Sequence, residues 1–308
     1  MKWFFGLIVA TVVVIIAAIV IIPLVVDPND YKDEIIAGVK SATGRDLTIR
    51  DDMQLSVFPA LAVRLGGVAL SNAPGFKAEQ MAAVEELDLK VALMPLLSGS
   101  LEVDTVVLRG LEVNLAKDKN GRTNWEDLTS GKKSEAPAPA SGGQDLAVQI
   151  EGVVIDRAKL VWDDRQSGKR YELDNLSLKT GAIASGREVP VDLALLLKST
   201  APAQTLDFEL TANLTANDEF TRIQITDLVT RLAAAGEGLP SGGLDLETAA
   251  NVDFDNDAGT ISVSDLAVSG PNFQLTGGLS GKGLTGTPSF DGNFKLAESD
   301  LKQLIALG

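Results

Sequence analysis

The stretch Leu206-Asp-Phe-Glu-Leu-Thr-Ala-Asn-Leu214 places an apolar side chain at every second position. Successive side chains of a β-strand point to opposite faces, so this alternation predicts a strand with one apolar and one polar face. The same period of two runs through much of the chain from Leu47 onward, and it is clear at residues 87–93 and 111–115. The sequence therefore predicts a mainly β protein whose strands keep their aliphatic side chains on one side.

Turn-forming residues separate the predicted strands. They occur at Asn120-Gly121, at Arg165 to Gly168 and at Asn256 to Gly259, and such residues favour tight hairpins. Long helical patterns are missing between the strands, so parallel βαβ units are not expected. We therefore predict a mostly antiparallel sheet.

A six-residue pattern recurs among the strands: apolar, any, Gly or polar, apolar, any, apolar. It occurs at residues 65–70, 84–89, 103–108, 150–155, 173–178 and 263–268. A spacing of three between apolar positions would move the second one to the other face of a regular strand, whereas one extra residue, a β-bulge, restores the face and bends the strand. The pattern thus predicts a sheet bent repeatedly in the same way; chance recurrence in an alternating sequence is the alternative.

The apolar faces of these strands must be covered. Two sheets can pack together as a sandwich, whereas a membrane barrel carries aromatic girdles, and only 5% of this chain is aromatic. The third solution is an elongated, curled sheet forming an open trough, of about 20 strands and on the order of 100 Å long. Beside a bilayer, acyl chains would fill such a trough. The predicted lipid-binding groove positions are Leu87, Leu89, Val91, Leu93, Leu111, Val113, Leu115, Leu206, Phe208 and Leu210.

The N-terminal residues 3–26 contain no charged side chain. A helix of this length spans roughly 36 Å, enough to cross a hydrocarbon core of about 30 Å. A cleaved signal peptide is the alternative, but its apolar region is shorter and ends in a small-residue cleavage site, which is not found here. The flanking charges, Lys2 before the run and mostly acids after it, predict a cytoplasmic N-terminus. The predicted anchor side chains are Trp3, Phe4, Phe5, Leu7, Ile15, Ile16, Val20, Ile22, Leu24 and Val26.

A short amphipathic helix is predicted from about residue 31 to 43. The segment 27–30 offers Asp and Asn side chains that can cap it, apolar residues follow at helical spacing, and Gly44 is a natural stop. We expect its apolar side to rest on the first strands or on the bilayer surface.

The composition excludes several classes of function. The net charge of −15 disfavours binding to nucleic acid. The chain has no cysteine and no histidine, which excludes disulfides, thiol nucleophiles and Ser-His-Asp catalysis, and suits an oxidising periplasm. We therefore expect no enzymatic activity, no metal and no cofactor.

Residues 129–144 form a low-complexity segment rich in Ala, Pro, Ser and Gly, which is typical of a linker. It divides the chain into an anchor at 1–26, a helix and β region at 27–128, and a second β region at 145–308. Because the strand pattern resumes after it, the segment could also be a long loop within one continuous sheet.

Several motifs give the chain a resemblance to a known family. They are Val26-Asp-Pro-Asn-Asp-Tyr-Lys-Asp-Glu-Ile35, Ala42-Thr-Gly-Arg-Asp-Leu47, Ala69-Leu-Ser-Asn-Ala-Pro-Gly-Phe76, Leu96-Leu-Ser-Gly-Ser-Leu101, Gly121-Arg-Thr-Asn-Trp125, Leu160-Val-Trp-Asp-Asp164 and Tyr171-Glu-Leu-Asp-Asn-Leu176. Together they resemble AsmA-family proteins, including the larger TamB-type relatives that are thought to conduct phospholipid. The resemblance implies an inner-membrane anchor, a periplasmic β-trough and a role in outer-membrane biogenesis. Typical members are about twice this length, so the chain is either truncated or a short member.

The sequence leads to one main functional hypothesis and two rivals. The main one is a single-pass inner-membrane protein whose periplasmic sheet binds, and conducts, phospholipid acyl chains, with outer-membrane or periplasmic assembly proteins as further partners. The first rival is a closed β-sandwich scaffold that assists outer-membrane protein assembly without lipid, and the second is an enzyme using paired carboxylates.

Three local features have a structural interpretation that we favour over a functional one. Asp253-Phe-Asp-Asn-Asp-Ala-Gly259 has the spaced acids of a calcium loop, but Ser264 stands where a Glu ligand is needed, so a hairpin turn is predicted. The segment 71–75 is predicted to be a turn, because no base accompanies its serine. Trp125 is predicted to pack in the core or at the sheet edge.

Overall fold

A computed structural model describes residues 27–57, 61–91, 102–130, 149–184, 186–240 and 242–297. A 3-10 turn at Pro28–Tyr31 leads into α1 (Lys32–Thr43), and a second short helix, α2, spans Glu126–Ser130. The strands are β1 Leu47–Ile49, β2 Gln54–Ser56, β3 Leu61–Ser71, β4 Gln80–Val91, β5 Glu102–Arg109, β6 Glu112–Lys117, β7 Gln149–Asp164, β8 Lys169–Thr180, β9 Val189–Thr200, β10 Ala203–Ala216, β11 Arg222–Gly236, β12 Leu244–Asp255, β13 Thr260–Gly270, β14 Phe273–Lys282 and β15 Ser289–Leu296.

All described strands belong to one sheet of 15 strands. Its order follows the chain closely, from β1 and β2 at one edge to β15 at the other. Twelve steps of about 4.8 Å along that path give a sheet roughly 60 Å across, shorter than the trough expected from the sequence. Since every described strand joins this one sheet, the sandwich alternative does not hold for the described part of the chain.

The sheet is antiparallel except at one place. Strand β7 runs parallel to both β5 and β6, which lie end to end between β4 and β7 and are separated by Gly110. The Gly110 amide donates to the Asp156 carbonyl oxygen over 2.9 Å. The strands on both sides of the predicted linker therefore pair with each other; residues 131–148 lie outside the described ranges.

The start of the described chain matches the prediction. The Asp27 carboxylate accepts a 2.9 Å hydrogen bond from the Asn29 amide, and Gly44 ends α1 in the left-handed conformation with φ 72°. Helix α1 packs beside β1, while Ile35 on it and Tyr31 just before it stay exposed. Within the described ranges no helix is both long and apolar enough to cross a bilayer; the predicted anchor at residues 3–26 lies outside them.

The recurring six-residue pattern forms bulges at several of its copies. At the third position of three copies, Gly67, Asn175 and Asp265 have φ between 52° and 59°, the left-handed conformation of a common bulge type. The strand register shifts at Asn175 and Asp265 but not at Gly67. The copy at 103–108 shows a register shift against β4. Because the extra residue restores the side-chain alternation, Leu173 and Leu176 lie on the same face on either side of the Asn175 bulge.

Few side chains of the sheet are fully buried. Those that are include Ile49, Met53, Val57, Val107 and Val161, and most are found near the first strands. Elsewhere the strand side chains are half-buried or exposed. This distribution is that of a sheet whose apolar surface is not sealed by a second layer of described residues.

Candidate functional site

One row of side chains crosses almost the whole sheet on a single face. Residues directly opposite each other in register lie on the same face, so the pairing can be followed from strand to strand. Ten of its twelve members are aliphatic. This first apolar row consists of Leu65, Leu87, Leu108, Ile155, Leu178, Leu193, Leu210, Thr230, Thr248, Val268, Leu275 and Leu296.

A second row runs beside the first on the same face and is displaced from it along the strands. It begins at the β1 edge and ends on β12, and every member is apolar. This second apolar row consists of Leu47, Leu70, Ala82, Val113, Leu160, Leu173, Leu197, Leu206, Ala234 and Leu244. The two rows together make a continuous apolar surface from β3 to β12.

The sequence-predicted groove positions that the structure describes all lie on this face. The first row contains Leu87 and Leu210, and the second contains Val113 and Leu206. The remaining predicted positions lie two or four residues along the chain from a member of a row, and therefore on the same face. They are Leu89, Val91, Leu111, Leu115 and Phe208. Leu93 lies outside the described ranges. Leu89 keeps 37% of its surface exposed, and the other eight are half-buried.

A depression of about 330 Å³ opens on this face at the ends of β8 to β12. Its walls include Tyr171, Leu197, Leu206 and Leu244. Leu239, from the turn between β11 and β12, also lines it. The depression is mainly apolar, and it forms a recess in the surface of the second row.

The opposite face carries the charges, joined by ion pairs between neighbouring strands. Lys159 Nζ lies 2.5 Å from the Glu172 carboxylate, and Lys198 Nζ lies 2.8 Å from that of Asp174. The hydrogen bond from Lys159 lowers the pKa of Glu172, and the one from Lys198 lowers the pKa of Asp174. The same bond to Glu172 raises the pKa of Lys159. The polar face therefore stays charged and hydrated over a wide pH range.

A cluster of hydrogen-bonded polar side chains, of which Arg45 and Asn124 are buried, lies at the β1 end of the sheet. Arg45 is only 2% exposed, and its guanidinium reaches both oxygens of Asp127 at 2.7 and 3.2 Å. It also donates to the Asn124 carbonyl oxygen over 2.8 Å. Such a two-point contact has the geometry of a strong, directional ion pair. We call Arg45, Asn72, Asn124 and Asp127 the Arg45 cluster.

Asn124 is the centre of this cluster and is fully buried. Its side-chain amide donates to the Asn72 side-chain oxygen over 2.8 Å and to the Asn114 carbonyl oxygen over 2.7 Å. Its own side-chain oxygen accepts from the Ala116 amide over 2.9 Å. Every hydrogen-bonding atom of the side chain is thereby used, which buried amides require.

The family-like motifs of the sequence meet at this cluster. Arg45 comes from the motif at 42–47, Asn72 from that at 69–76 and Asn124 from that at 121–125. Trp125 packs against Trp162 of a fourth motif, with ring centroids 5.2 Å apart. The motifs thus hold the first strands, α2 and β7 together. None of their residues belongs to the first apolar row, whereas the second row includes Leu47, Leu70, Leu160 and Leu173 from them.

The two segments that resemble a calcium loop and a catalytic serine form turns. Asn256 to Gly259 forms the turn between β12 and β13, and the segment 72–76 is a turn held by Asn72. No described group of three or more acidic side chains is arranged to hold a metal ion. We therefore take the apolar face as the candidate functional site.

The fold and the two rows define an extended β-sheet protein with one continuous apolar surface. The chain belongs to the AsmA family, whose model matches residues 2–279. It is also 26% identical over 221 residues to Protein AsmA of Escherichia coli strain K12, which covers 69% of this chain. The chain matches only 35% of the length of that relative. No solved structure matches the chain significantly.

Proposed function

We propose that this chain is an inner-membrane-anchored periplasmic protein of outer-membrane biogenesis. Its apolar face would bind phospholipid acyl chains and conduct them along the sheet. The observation that carries the proposal is the first apolar row, which runs without a charged residue from β3 to β15 and keeps its side chains partly accessible. Family membership supports the biological setting, and the uncharged residues 3–26 support the anchor.

The driving force is the removal of hydrocarbon from water. A buried methylene contributes about 0.8 kcal/mol, so a chain of about sixteen carbons gains roughly 12 kcal/mol on the apolar face. The bilayer offers a similar gain, so transfer between bilayer and sheet is close to neutral and works in both directions. A partner or a lipid sink must therefore supply direction. No covalent step is part of this proposal.

The positions of the strand bulges support a curled shape for the sheet in this proposal. Left-handed residues recur at Gly67, Arg157, Asn175, Asp227 and Asp265, and each bulge bends its strand and increases its twist. We propose that these bends curl the sheet with the apolar rows inside. Acyl chains would then lie along the rows, with headgroups left in water.

Lipid carried by the purified full chain tests the proposal. Phospholipid would be extracted from detergent-purified protein and quantified by mass spectrometry, with an equal amount of detergent from a mock purification as the blank. The double variant Leu193→Asp/Leu210→Asp places two carboxylates opposite each other in the first row. We expect wild type to carry phospholipid and the double variant to carry several-fold less, because a buried charge is costly.

A matched control uses the neighbouring positions on the other face. Asp192 already carries a charge there, and Thr211 lies opposite it. The variant Thr211→Asp adds charge to the same strand without touching the row, so its lipid content should equal that of wild type. Wild-type protein with no phospholipid above the blank would refute the proposal and favour the scaffold alternative.

A further inference from the structure

Two neighbouring hairpin turns in this sheet have the same backbone hydrogen bond but differ at their third and fourth positions. The turn between β10 and β11 reads Asn217-Asp-Glu-Phe-Thr221, and that between β12 and β13 reads Asn256-Asp-Ala-Gly-Thr260. In both, the fourth residue donates its amide to the carbonyl oxygen of the Asn, over 3.1 and 3.2 Å. The fourth residue is Phe220 in one turn and Gly259 in the other.

Phe220 occupies a conformation that suits glycine. Its φ is 54°, and that of Gly259 is 61°. A left-handed φ is unfavourable for a bulky residue, whereas glycine adopts it freely. The remaining described non-glycine residues with such a φ are Arg157, Asn175, Asp227 and Asp265, all within strand bulges. Phe220 is therefore a strained aromatic at a hairpin tip.

The phenyl ring of Phe220 is not buried against the described part of the chain. Phe220 is 71% exposed, more than any other large apolar residue of the described chain. The turn itself is held by Asn217, whose side-chain oxygen accepts from the Arg222 amide over 2.8 Å. Neither packing within the described chain nor turn formation accounts for the ring, so the strain calls for a role outside the fold.

The charge around the ring indicates the chemistry of that contact. Asp218 and Glu219 directly precede Phe220 and are exposed. From Ala203 to Asp265 the chain has twelve Asp and Glu residues against two Arg and no Lys. An anionic bilayer would repel this region, whereas a protein surface with Lys or Arg around an apolar pocket would attract it.

We propose that the β10–β11 turn is a protein-docking site. Phe220 inserts into an apolar pocket of a second protein, and basic residues at the rim of that pocket pair with Asp218 and Glu219. Exposed aromatic residues that become buried at an interface commonly carry much of its binding energy. This site is independent of the lipid proposal, because it lies at the end of the strands and outside both apolar rows.

Photo-crosslinking in cells, followed by a binding measurement, tests this site. The full chain would carry p-benzoyl-phenylalanine in place of Phe220, with the exposed Ala258 of the sister turn as the control position. We expect an adduct with one other protein from position 220 and not from 258. Mass spectrometry of the adduct should place the crosslink in an apolar pocket flanked by Lys or Arg.

The crosslinked protein would then be purified and its affinity for full-chain variants measured. Phe220→Asn relieves the left-handed strain, so the thermal midpoint should stay level or rise by roughly 2 °C, while binding weakens by about tenfold or more. Phe220→Trp should retain binding. Adducts with phospholipid only, with this chain only or with nothing would overturn the site, as would unchanged affinity of Phe220→Asn.

Discussion

Arg45 keeps 2% of its surface exposed at one edge of the sheet, whereas Leu89 on the apolar face keeps 37%. The Arg45 cluster is built from particular side chains with fixed partners, each donor matched to one acceptor. The apolar rows are built from interchangeable aliphatic residues with no partner beyond their neighbours in the sheet. The first arrangement is rigid and specific; the second is a surface that tolerates substitution.

This difference distinguishes the residues that identify the family from the surface that we propose binds lipid. Three of the motifs that give the chain its family resemblance supply residues of the Arg45 cluster, and Trp125 beside this cluster packs against Trp162 of β7. The first apolar row contains no residue of these motifs, since any aliphatic side chain meets its requirement, whereas the second row shares four leucines with them. Recognition of the family and recognition of the first row therefore depend on different residues.

Removal of Asn124 gives the largest expected loss of stability. Asn124→Ala leaves the Ala116 amide, the Asn114 carbonyl and the Asn72 side chain without their buried partner. We expect the free energy of unfolding to fall by about 3 kcal/mol, measured by urea denaturation. Asn120→Ala, in the nearby exposed turn, is the control and should change it little. Equal effects from both variants would show that the cluster is not rigid.

Truncation within the apolar row should cost much less. Leu210→Ala removes a half-buried side chain, so we expect a loss of about 1 kcal/mol instead of the roughly 2–5 kcal/mol typical of buried leucines. The measurement is the same urea denaturation on the full chain. A loss near the upper value would mean that Leu210 is tightly packed, and would count against an accessible apolar face.

The ion pairs of the polar face give the smallest effect and a defined pH dependence. The pKa values of Glu172 and Asp174 lie below 4.5 and 3.8, and that of Lys159 lies above 10.5. The carboxylates' contribution to stability is complete above about pH 5 and is lost as the pH falls through their lowered pKa values. That of Lys159 is complete below its ordinary pKa and is lost as the pH rises through the raised one.

The variant Lys159→Met tests this dependence. We expect it to lower the free energy of unfolding by about 0.5 kcal/mol at neutral pH, since the pair is partly exposed. The difference from wild type should shrink as the pH falls through the lowered pKa values of the two carboxylates. A difference that is constant from neutral to acidic pH would show that Lys159 acts through its aliphatic stem instead of its charge.

Much of the sheet could be predicted from local patterns. Alternation in the sequence assigned the described groove positions, such as Leu87 and Phe208, to one face, because the period of two determines the side. The six-residue pattern located the bulges at Asn175 and Asp265, because a spacing of three needs an extra residue. Capping residues located α1 and its end at Gly44.

Other features could not be read from the sequence, for physical reasons. Alternation does not tell which strands are neighbours, so the parallel pairing of β7 with β5 and β6 was missed. The contact between Arg45 and Asp127 joins residues far apart in the chain, and burial of Asn124 has no local signal. The described residues form 15 strands where about 20 were expected from the whole chain, and these strands are long, up to 16 residues in β7.

Photo-crosslinking from matched neighbours on the two faces tests the central claim most directly. The probe would replace Val91, Val113 or Phe208 on the apolar face, and Lys90, Asn114 or Glu209 as the adjacent controls on the polar face, in the full chain within cells. We predict phospholipid adducts from the first three positions and none from the controls. Equal lipid labelling from both faces, or none from either, would contradict the claim that the apolar face binds acyl chains.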